Sequence, residues 1–178
     1  MSAVAAGEPE AAIDVGRLLD GLAPGALQRR ILFWSCLLMA VEGYDMQVAA
    51  YGAPAIIKAW GLDKPAFAVV FAAGLFGYLL GALVLGPVGD RLGRKKVVVG
   101  STLLFGAATL LCALAASRAE LLGLRLVTGV GLGGSVANII ALAAEYAPAR
   151  RRGTTVALLF VGYTIGSALG GLLAAALL

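Results

Sequence analysis

Two carboxylic acids and one arginine interrupt stretches of this sequence that otherwise consist of apolar residues. Glu42 and Asp45 lie in the run from 31 to 50, and Arg125 lies in the run from 120 to 144. An ionised side chain near the centre of a bilayer costs at least about 2.5–3.5 kcal/mol on insertion scales. We therefore expect these groups to pair with one another or to face a wet cavity, where they can bind charged solutes or exchange protons. The alternative is a fixed ion pair that only ties two helices together.

Five apolar runs must position these groups. They extend over about 31–50, 66–88, 97–116, 120–144 and 154–178, and each is about long enough to cross a hydrocarbon core of roughly 30 Å as a helix. The alternative for the first run is a helix that continues past Pro54 to 57, and Asp63 with Pro65 is typical of an N-cap and a first-turn proline at the start of the second. The 178-residue chain is 61% hydrophobic and 13% charged, whereas soluble domains are about 45–50% apolar and about 25% charged. The sequence predicts an all-α membrane protein with five transmembrane helices. A segment at 1–28 precedes the transmembrane bundle at 29–178.

The fourteen arginines and lysines are unevenly distributed over the predicted connections. Ten fall in the segments 1–30, 86–96 and 145–153, three fall in the other two connections, and Arg125 is inside a span. Short cytoplasmic loops carry an excess of Lys and Arg. This pattern predicts a multi-pass protein of the cell inner membrane, with the segment 1–28 in the cytoplasm.

Spacing along the helices predicts which charged residues meet. Glu42 and Asp45 are three residues apart and therefore share one helix face. Asp45 and Arg125 each lie six residues, about 9 Å, from the outer ends of their spans, counted from Tyr51 and Ala119. We therefore expect Glu42 and Asp45 to face Arg125 or a cavity shared with it.

The composition also argues against several other functions. The chain has no histidine, so histidine-based catalysis, metal sites and proton relays are absent. The segment 129–134 satisfies the G-x-G-x-x-G pattern, but it lies in the middle of a span with no strand before it, which does not indicate a dinucleotide site. We expect no cofactor, no metal and no nucleic-acid partner, because the positive charge follows membrane topology. An enzyme is the least favoured class.

The connection between the second and third spans carries glycines, an acid and bases at a regular spacing, namely Gly86, Asp90, Arg91, Gly93 and Arg94. This arrangement resembles the loop between helices 2 and 3 of the major facilitator superfamily of secondary transporters. The resemblance implies that Asp90 and Arg94 belong to a charged latch on the cytoplasmic side that stabilises one access state. An ordinary positive-inside hairpin would need the bases but neither the glycines nor the acid.

Three further segments extend the resemblance over residues 29–178. Arg125 with the glycines at 129, 131 and 133 is similar to the helix 4 motif of the superfamily, and Glu145 to Gly153 is similar to its loop between helices 4 and 5. Within that loop, Glu145 and Arg152 match the motif, and we expect Glu145 to contact a base of the Asp90 loop. The glycines at 162, 166 and 170 resemble the helix 5 pattern, with Ser167 where many members have proline. Close helix packing alone also accounts for most of these small residues.

The first span indicates a branch of the superfamily. Glu42, Gly43, Tyr44 and Asp45 resemble the Asp-Gly-Tyr/Phe-Asp motif of the aromatic acid:proton symporters, the 4-hydroxybenzoate transporter type, although the first acid here is glutamate. The segments 125–138 and 145–146 also resemble that branch. The resemblance implies that substrate binding and proton coupling involve Glu42, Tyr44, Asp45, Arg125 and Asn138. It further implies a proton-coupled secondary transporter that imports aromatic or related organic carboxylates by alternating access.

Members of this superfamily have about twelve helices in two bundles, with the substrate site between the halves. Five helices therefore predict a truncated N-terminal half. The expected partners are a small organic anion, protons, the lipid bilayer and the missing C-terminal bundle of the same transporter. Two other interpretations are a sugar or other metabolite porter of the superfamily and a membrane remnant that does not transport.

Overall fold

The computed structural model describes residues 25 to 177, and all regular elements in that range are helical. The helices are α1 (Ala26–Trp60), α2 (Lys64–Leu92), α3 (Arg94–Cys112), α4 (Arg118–Tyr146) and α5 (Arg152–Leu177), with a 3₁₀ turn (Ala149–Arg151) before α5. The predicted all-α bundle of five helices is confirmed. Most of the segment at 1–28 lies outside the described residues, which begin at 25.

Polar side chains and glycine set the helix ends. The Asp63 carboxylate accepts a hydrogen bond of 2.9 Å from the Ala66 N–H, with proline in the first turn, as its sequence position predicts. The Ser117 hydroxyl accepts from the Glu120 N–H at 3.2 Å and so caps α4. Gly93, with φ of 95°, is the only residue between α2 and α3. Such short connections make consecutive helices run in opposite directions.

The first helix is longer than predicted. It continues through Pro54 to Trp60 rather than ending near 50 or, in the alternative, at 57. Proline removes one backbone donor, but Ile56, Ile57 and Trp60 pack against an apolar cluster that includes Phe67, and this burial stabilises the extra turns. The 35 residues of α1 span about 52 Å at 1.5 Å per residue, so the helix exceeds the thickness of a hydrocarbon core.

The third helix is shorter than predicted, since it ends at Cys112 rather than near 116. The next three N–H groups, from 113 to 115, donate to carbonyls three residues back instead of four. This tighter winding ends α3 and leads directly into the Ser117 cap of α4.

Four of the five helices are long and apolar enough to cross a membrane, over Lys64–Leu92, Arg94–Cys112, Arg118–Tyr146 and Ala149–Ala176. The first helix is not among them. Its apolar run is interrupted by Glu42, Asp45 and Gln47, and both acids are buried inside the bundle. The helix that carries the buried acids is thus the one whose apolar run is interrupted.

Two pairs of parallel helices pack with their backbones in contact. A Cβ atom at Gly133 of α4 would lie 1.9 Å from the carbonyl oxygen of Tyr78 on α2. A Cβ atom at Gly166 of α5 would lie 1.8 Å from the carbonyl oxygen of Ala40 on α1. These positions therefore admit only glycine, and the G-x-G-x-x-G stretch of α4 is part of helix packing.

The bundle has two distinct ends. The start of α1, the turn at Gly93 and the turn at Ala149–Arg151 lie at one end, where Arg94 contacts Glu145 and a groove brings Arg29 near Arg151. We call this the basic end. The α1–α2 and α3–α4 turns lie at the opposite end, called the distal end.

Candidate functional site

Asp45 lies between a cation and a hydroxyl group inside the bundle. Its Oδ2 atom is 3.6 Å from Nη1 of Arg125 on α4, and its Oδ1 atom accepts a hydrogen bond of 2.8 Å from the Thr109 hydroxyl on α3. The side chains of Asp45 and Arg125 are 6% and 16% exposed. The structure thus joins α1, α3 and α4 through one carboxylate, and it brings Asp45 and Arg125 together as their depth predicts.

Glu42, one turn before Asp45, has a different environment. Its residue is 1% exposed, and neither carboxylate oxygen has a hydrogen-bond partner among residues 25–177. It lines a pocket of about 230 Å³ between four helices. The other lining residues are Met39, Met46, Tyr78, Leu132, Val136, Phe160 and Tyr163. We call this the Glu42 pocket. The Ser135 hydroxyl lies near its one acid, but the geometry is not that of a hydrogen bond.

A second pocket lies on the distal side of Met46, which lines both pockets. It has a volume of about 50 Å³ and contains Arg125 together with Phe67 and Phe71. Arg125 therefore belongs to an apolar, partly aromatic environment in addition to its contact with Asp45.

The structure does not bring two predicted residues to this group. Tyr44 is 38% exposed, and its ring lies beside Gly170 of α5. Asn138 is fully buried, but its amide donates to the carbonyls of Leu85 and Gly134 at 2.9 and 2.8 Å. Asn138 is also thirteen residues from Arg125 along α4, about 20 Å at 1.5 Å per residue.

At the basic end, Arg94 bridges two acids. Its Nη2 atom is 2.7 Å from Oδ1 of Asp90, and its Nε atom donates to Oε1 of Glu145. Asp90 and Glu145 are 59% and 52% exposed, while Arg94 is 22% exposed. The expected partner of Glu145 in the Asp90 loop is thus Arg94, and we call these three residues the basic-end cluster.

The other residues of the loop motifs surround this cluster. Arg152 lines a shallow pocket of about 270 Å³ with Arg94 and Glu145. Arg91 is exposed, Gly93 supplies the positive φ of the turn, and Gly86 packs 4.0 Å from the Ala137 methyl group, as measured from a Cβ atom built at Gly86. The residues of the predicted loop motif between the second and third spans therefore lie together at the end of α2.

Sequence reasoning did not identify Thr109 or the two pocket tyrosines, Tyr78 and Tyr163. A threonine in an apolar run gives no local signal, because its partner is 64 residues away. The sequence marks Ser167 only as a departure from proline. Its hydroxyl donates to the Gly43 carbonyl at 3.1 Å, directly beside Glu42 in the chain.

Within the described part of the chain, no group of three or more histidine, cysteine, aspartate or glutamate side chains is placed to hold a metal ion. Both cysteines, Cys36 and Cys112, are free. The chemistry available at the site is therefore that of carboxylates, one guanidinium and hydroxyl groups.

Apolar helices long enough to cross a membrane, together with buried acids inside the bundle, place this chain in the class of integral membrane proteins. Comparison with known proteins agrees, since the profile of the Major Facilitator Superfamily matches residues 34–178. The chain belongs to this superfamily, as the motifs predicted, and it is an integral membrane protein. The superfamily consists of transporters rather than enzymes.

Several relatives have curated names. The chain is 41% identical over 166 residues to the gallate transporter of Pseudomonas putida, covering 93% of this chain and 37% of that protein. It is 46% identical over 139 residues to the 3-(3-hydroxy-phenyl)propionate transporter of Escherichia coli (strain K12), covering 78% and 34%. It is 38% identical over 159 residues to the 4-hydroxybenzoate transporter PcaK of Acinetobacter baylyi, covering 89% and 35%. The names of these relatives agree with the branch predicted from the first span.

The chain spans about a third of the length of these relatives. The site described above is therefore built from residues 25–177 alone.

Proposed function

We propose that this chain contributes the first bundle of a proton-coupled secondary transporter that imports aromatic or related organic carboxylates by alternating access. The observation that carries the proposal is the Asp45–Arg125 ion pair next to the unpartnered Glu42 and its pocket. The similarity to gallate, hydroxyphenylpropionate and 4-hydroxybenzoate transporters supports the substrate class.

Arg125 supplies a cation for a substrate carboxylate. Charge-assisted N–H···O bonds are usually about 2.7–2.9 Å long, so the separation of 3.6 Å leaves the guanidinium incompletely satisfied by Asp45. A substrate carboxylate has the same chemistry as the Asp45 side chain and would compete for the same donors. A proton on Asp45 would release Arg125 for that exchange.

The size and lining of the Glu42 pocket favour an aromatic ring. Its volume of about 230 Å³ exceeds the roughly 150 Å³ of an apolar protein cavity that binds benzene. The smaller pocket beside Phe71 holds only about 50 Å³ and is too small for a ring. Five of the eight lining residues are methionine, leucine, valine or phenylalanine. A sugar would require many more polar partners than this pocket offers.

Glu42 provides a position for the coupling proton. A buried carboxylate without a partner is expensive when ionised, and protonation or a bound donor removes that cost. An ionised Glu42 would also repel an anionic substrate in the same pocket, whereas a protonated Glu42 would donate a hydrogen bond to it. This difference couples binding of the anion to binding of a proton.

The basic end supplies orientation and gating in this proposal. Its arginines and lysines favour the cytoplasmic face of the cell inner membrane, with residues 1–28 on that side. The basic-end cluster acts as the charged latch of one access state and releases in the other. The second bundle of the transporter packs on the open side of the Glu42 pocket.

Transport is measured in a chimera in which this chain replaces the matching part of the gallate transporter of Pseudomonas putida. Proteoliposomes receive labelled gallate or 4-hydroxybenzoate with and without an inward proton gradient. We expect accumulation only with the gradient, and loss of accumulation in Glu42→Gln, Asp45→Asn and Arg125→Gln. Retention of gradient-driven accumulation by all three variants would make these charges structural and refute the coupling assignment.

Two other functions give different results. A sugar porter of the same superfamily would accumulate sugars rather than aromatic acids in this assay. A remnant that does not transport would leave the chimera correctly inserted but inactive, and the reading frame after Leu178 would stop at once rather than continue into a second bundle.

A further inference from the structure

Asn138 makes an unusually close contact with the C-terminal end of α2, near the basic end of the bundle. It is 0% exposed, and its Nδ2 atom donates both to the Leu85 carbonyl of α2 and to the Gly134 carbonyl of its own helix. Its Oδ1 atom occupies the space of a missing side chain, because a Cβ atom at Gly89 would lie 1.6 Å from it. One amide side chain thus contacts two successive turns of α2.

The orientation of this amide is fixed by its surroundings. An amide has donors on one end and acceptors on the other. The nitrogen faces two carbonyl oxygens, which are acceptors, so exchanging the nitrogen and oxygen would place acceptor against acceptor. Oδ1 of Asn138 has no hydrogen-bond partner among residues 25–177, and it lies against the bare backbone of Gly89.

The contact between Asn138 and Gly89 lies next to the basic-end cluster, on the side toward the middle of the bundle. Gly89 precedes Asp90, which binds Arg94, and Asn138 is seven residues before Glu145, which binds the same arginine. Seven residues are two turns of an α-helix, so Asn138 and Glu145 share one face of α4 about 10.5 Å apart. A shift of α2 along α4 at Gly89 would therefore separate Asp90 from Glu145.

We propose that Asn138 is a positioning residue that fixes the depth of α2 against α4, so that Asp90, Arg94 and Glu145 meet at the basic end. The amide holds α2 by the Leu85 carbonyl and by its close fit at Gly89, and a sliding of α2 breaks both contacts at once. This role is separate from substrate binding and does not depend on the proposed function.

The close fit between Asn138 and Gly89 is tested by changing the size of these two side chains in the 178-residue chain, purified in detergent. Thermal unfolding is followed by a thiol-reactive dye that labels Cys36 and Cys112. We expect Gly89→Ala to lower the melting temperature by at least 10 °C, whereas Gly86→Ala, one turn earlier and with no atom closer than 4.0 Å to its new methyl group, lowers it by less than 3 °C. The double variant Gly89→Ala/Asn138→Ala should recover at least half of the loss, because the methyl group fills the space that Oδ1 vacates.

The positioning role is tested by cross-linking. Cysteines replace Arg94 and Glu145 in a chain whose native cysteines are alanine, and a short bifunctional thiol reagent joins them. We expect Asn138→Ala to slow the cross-link at least fivefold in folded protein. Asn138→Asp, which keeps the size but places an acceptor against the Leu85 carbonyl, should slow it as well.

Two results would overturn the proposal. Equal melting temperatures of Gly89→Ala and Gly86→Ala would show that Asn138 does not pack tightly against Gly89. An unchanged cross-linking rate in folded Asn138→Ala would show that Asn138 only fills space and does not position α2. If Asn138→Ala does not fold, the cross-link is measured in Gly89→Ala/Asn138→Ala. That variant fills the space but has no donor for Leu85, so the same fivefold slowing is expected there, and an unchanged rate overturns the proposal.

Discussion

The Ser167 hydroxyl on α5 donates a hydrogen bond of 3.1 Å to the backbone carbonyl of Gly43 on α1. The two helices are in backbone contact there, since a Cβ atom at Gly43 would lie 2.1 Å from the Tyr163 carbonyl oxygen. Gly43 directly follows Glu42, so this bond holds the segment of α1 that carries the unpartnered acid. The α1 wall of the Glu42 pocket is thus attached to α5 by a polar contact as well as by close packing.

Replacing this serine should loosen that attachment. We expect Ser167→Ala to lower the free energy of unfolding by about 0.6 kcal/mol, the average for hydrogen bonds between membrane helices. Thr164→Ala is the matched control, because the Thr164 hydroxyl bonds to Phe160 within its own helix and does not reach α1. Thermal unfolding in detergent compares the two, and equal losses would deny Ser167 a role between helices.

Thr109 should contribute more than its neighbour Thr102 on the same helix. Thr109→Val keeps the shape but removes the donor to Asp45, and it leaves a buried carboxylate oxygen without its hydrogen bond. We expect a loss of about 1–3 kcal/mol in unfolding free energy, the cost of an unsatisfied buried polar group. Thr102→Val, whose hydroxyl is 3.4 Å from that of Ser135, should cost less than about 1 kcal/mol. Identical melting temperatures of the two valine variants would contradict this assignment.

Much of the fold was predictable because its determinants are local. Apolar length defined the five helices, and an aspartate followed by proline defined the start of α2. The end of α1 was predicted less well, because Pro54 normally favours a helix end, whereas packing against Phe67 and Leu121 carries the helix to Trp60. Tertiary contacts overrode the local signal there.

Part of the candidate site was also predictable, because helix spacing and depth can be read from the sequence. Residues 42 and 45 share a face of α1, and equal depth correctly brought Asp45 to Arg125. Helical phase also explains Tyr44, which at 100° per residue points 200° from Glu42 and lies at the surface. The hydroxyl of Thr109 comes from a third helix, and no spacing within α1 or α4 indicates it.

The orientation of the bundle can be measured directly. Single cysteines at Lys95 or Arg151 should react with a membrane-impermeant thiol reagent only after the cytoplasmic side is exposed, because ten of fourteen bases favour that side. Cysteines at Lys58 or Arg118, near the distal end, should react from outside in intact cells. Labelling of a cysteine at Lys95 or Arg151 from outside intact cells would contradict the proposed topology.

The basic-end cluster should affect switching rather than binding. Asp90 is 59% exposed and lies at the end of α2, far from the Glu42 pocket. In the chimera with the gallate transporter, Asp90→Asn should therefore slow uptake severalfold while the equilibrium affinity for the substrate changes less than twofold. Lys96→Gln, which neutralises a nearby base of the same loop, serves as the control. A loss of substrate affinity at unchanged uptake kinetics would place Asp90 in the binding site instead.

The contact between Asp45 and Arg125 allows the structural and functional roles of the pair to be separated. Breaking a fully buried ion pair by removing one partner costs about 3–5 kcal/mol. Because Arg125 is 16% exposed and 3.6 Å from Asp45, we expect about 2–3 kcal/mol for Asp45→Asn. The double variant Asp45→Asn/Arg125→Gln leaves no unpaired charge and should be more stable than either single variant. Thermal unfolding in detergent measures all three.

Transport by the same double variant then decides what the pair does. If the ion pair only ties α1 to α4, the recovered stability should bring recovered uptake in the chimera. If Arg125 binds the substrate carboxylate, the double variant should be folded yet transport at less than a tenth of the unmodified rate. Arg125→Lys is the informative partner, because it keeps the charge but loses the paired guanidinium donors, and it should retain part of the uptake with weaker substrate affinity. Full uptake by the double variant would assign the pair to structure alone and leave Glu42 as the only buried charge available for coupling among the described residues.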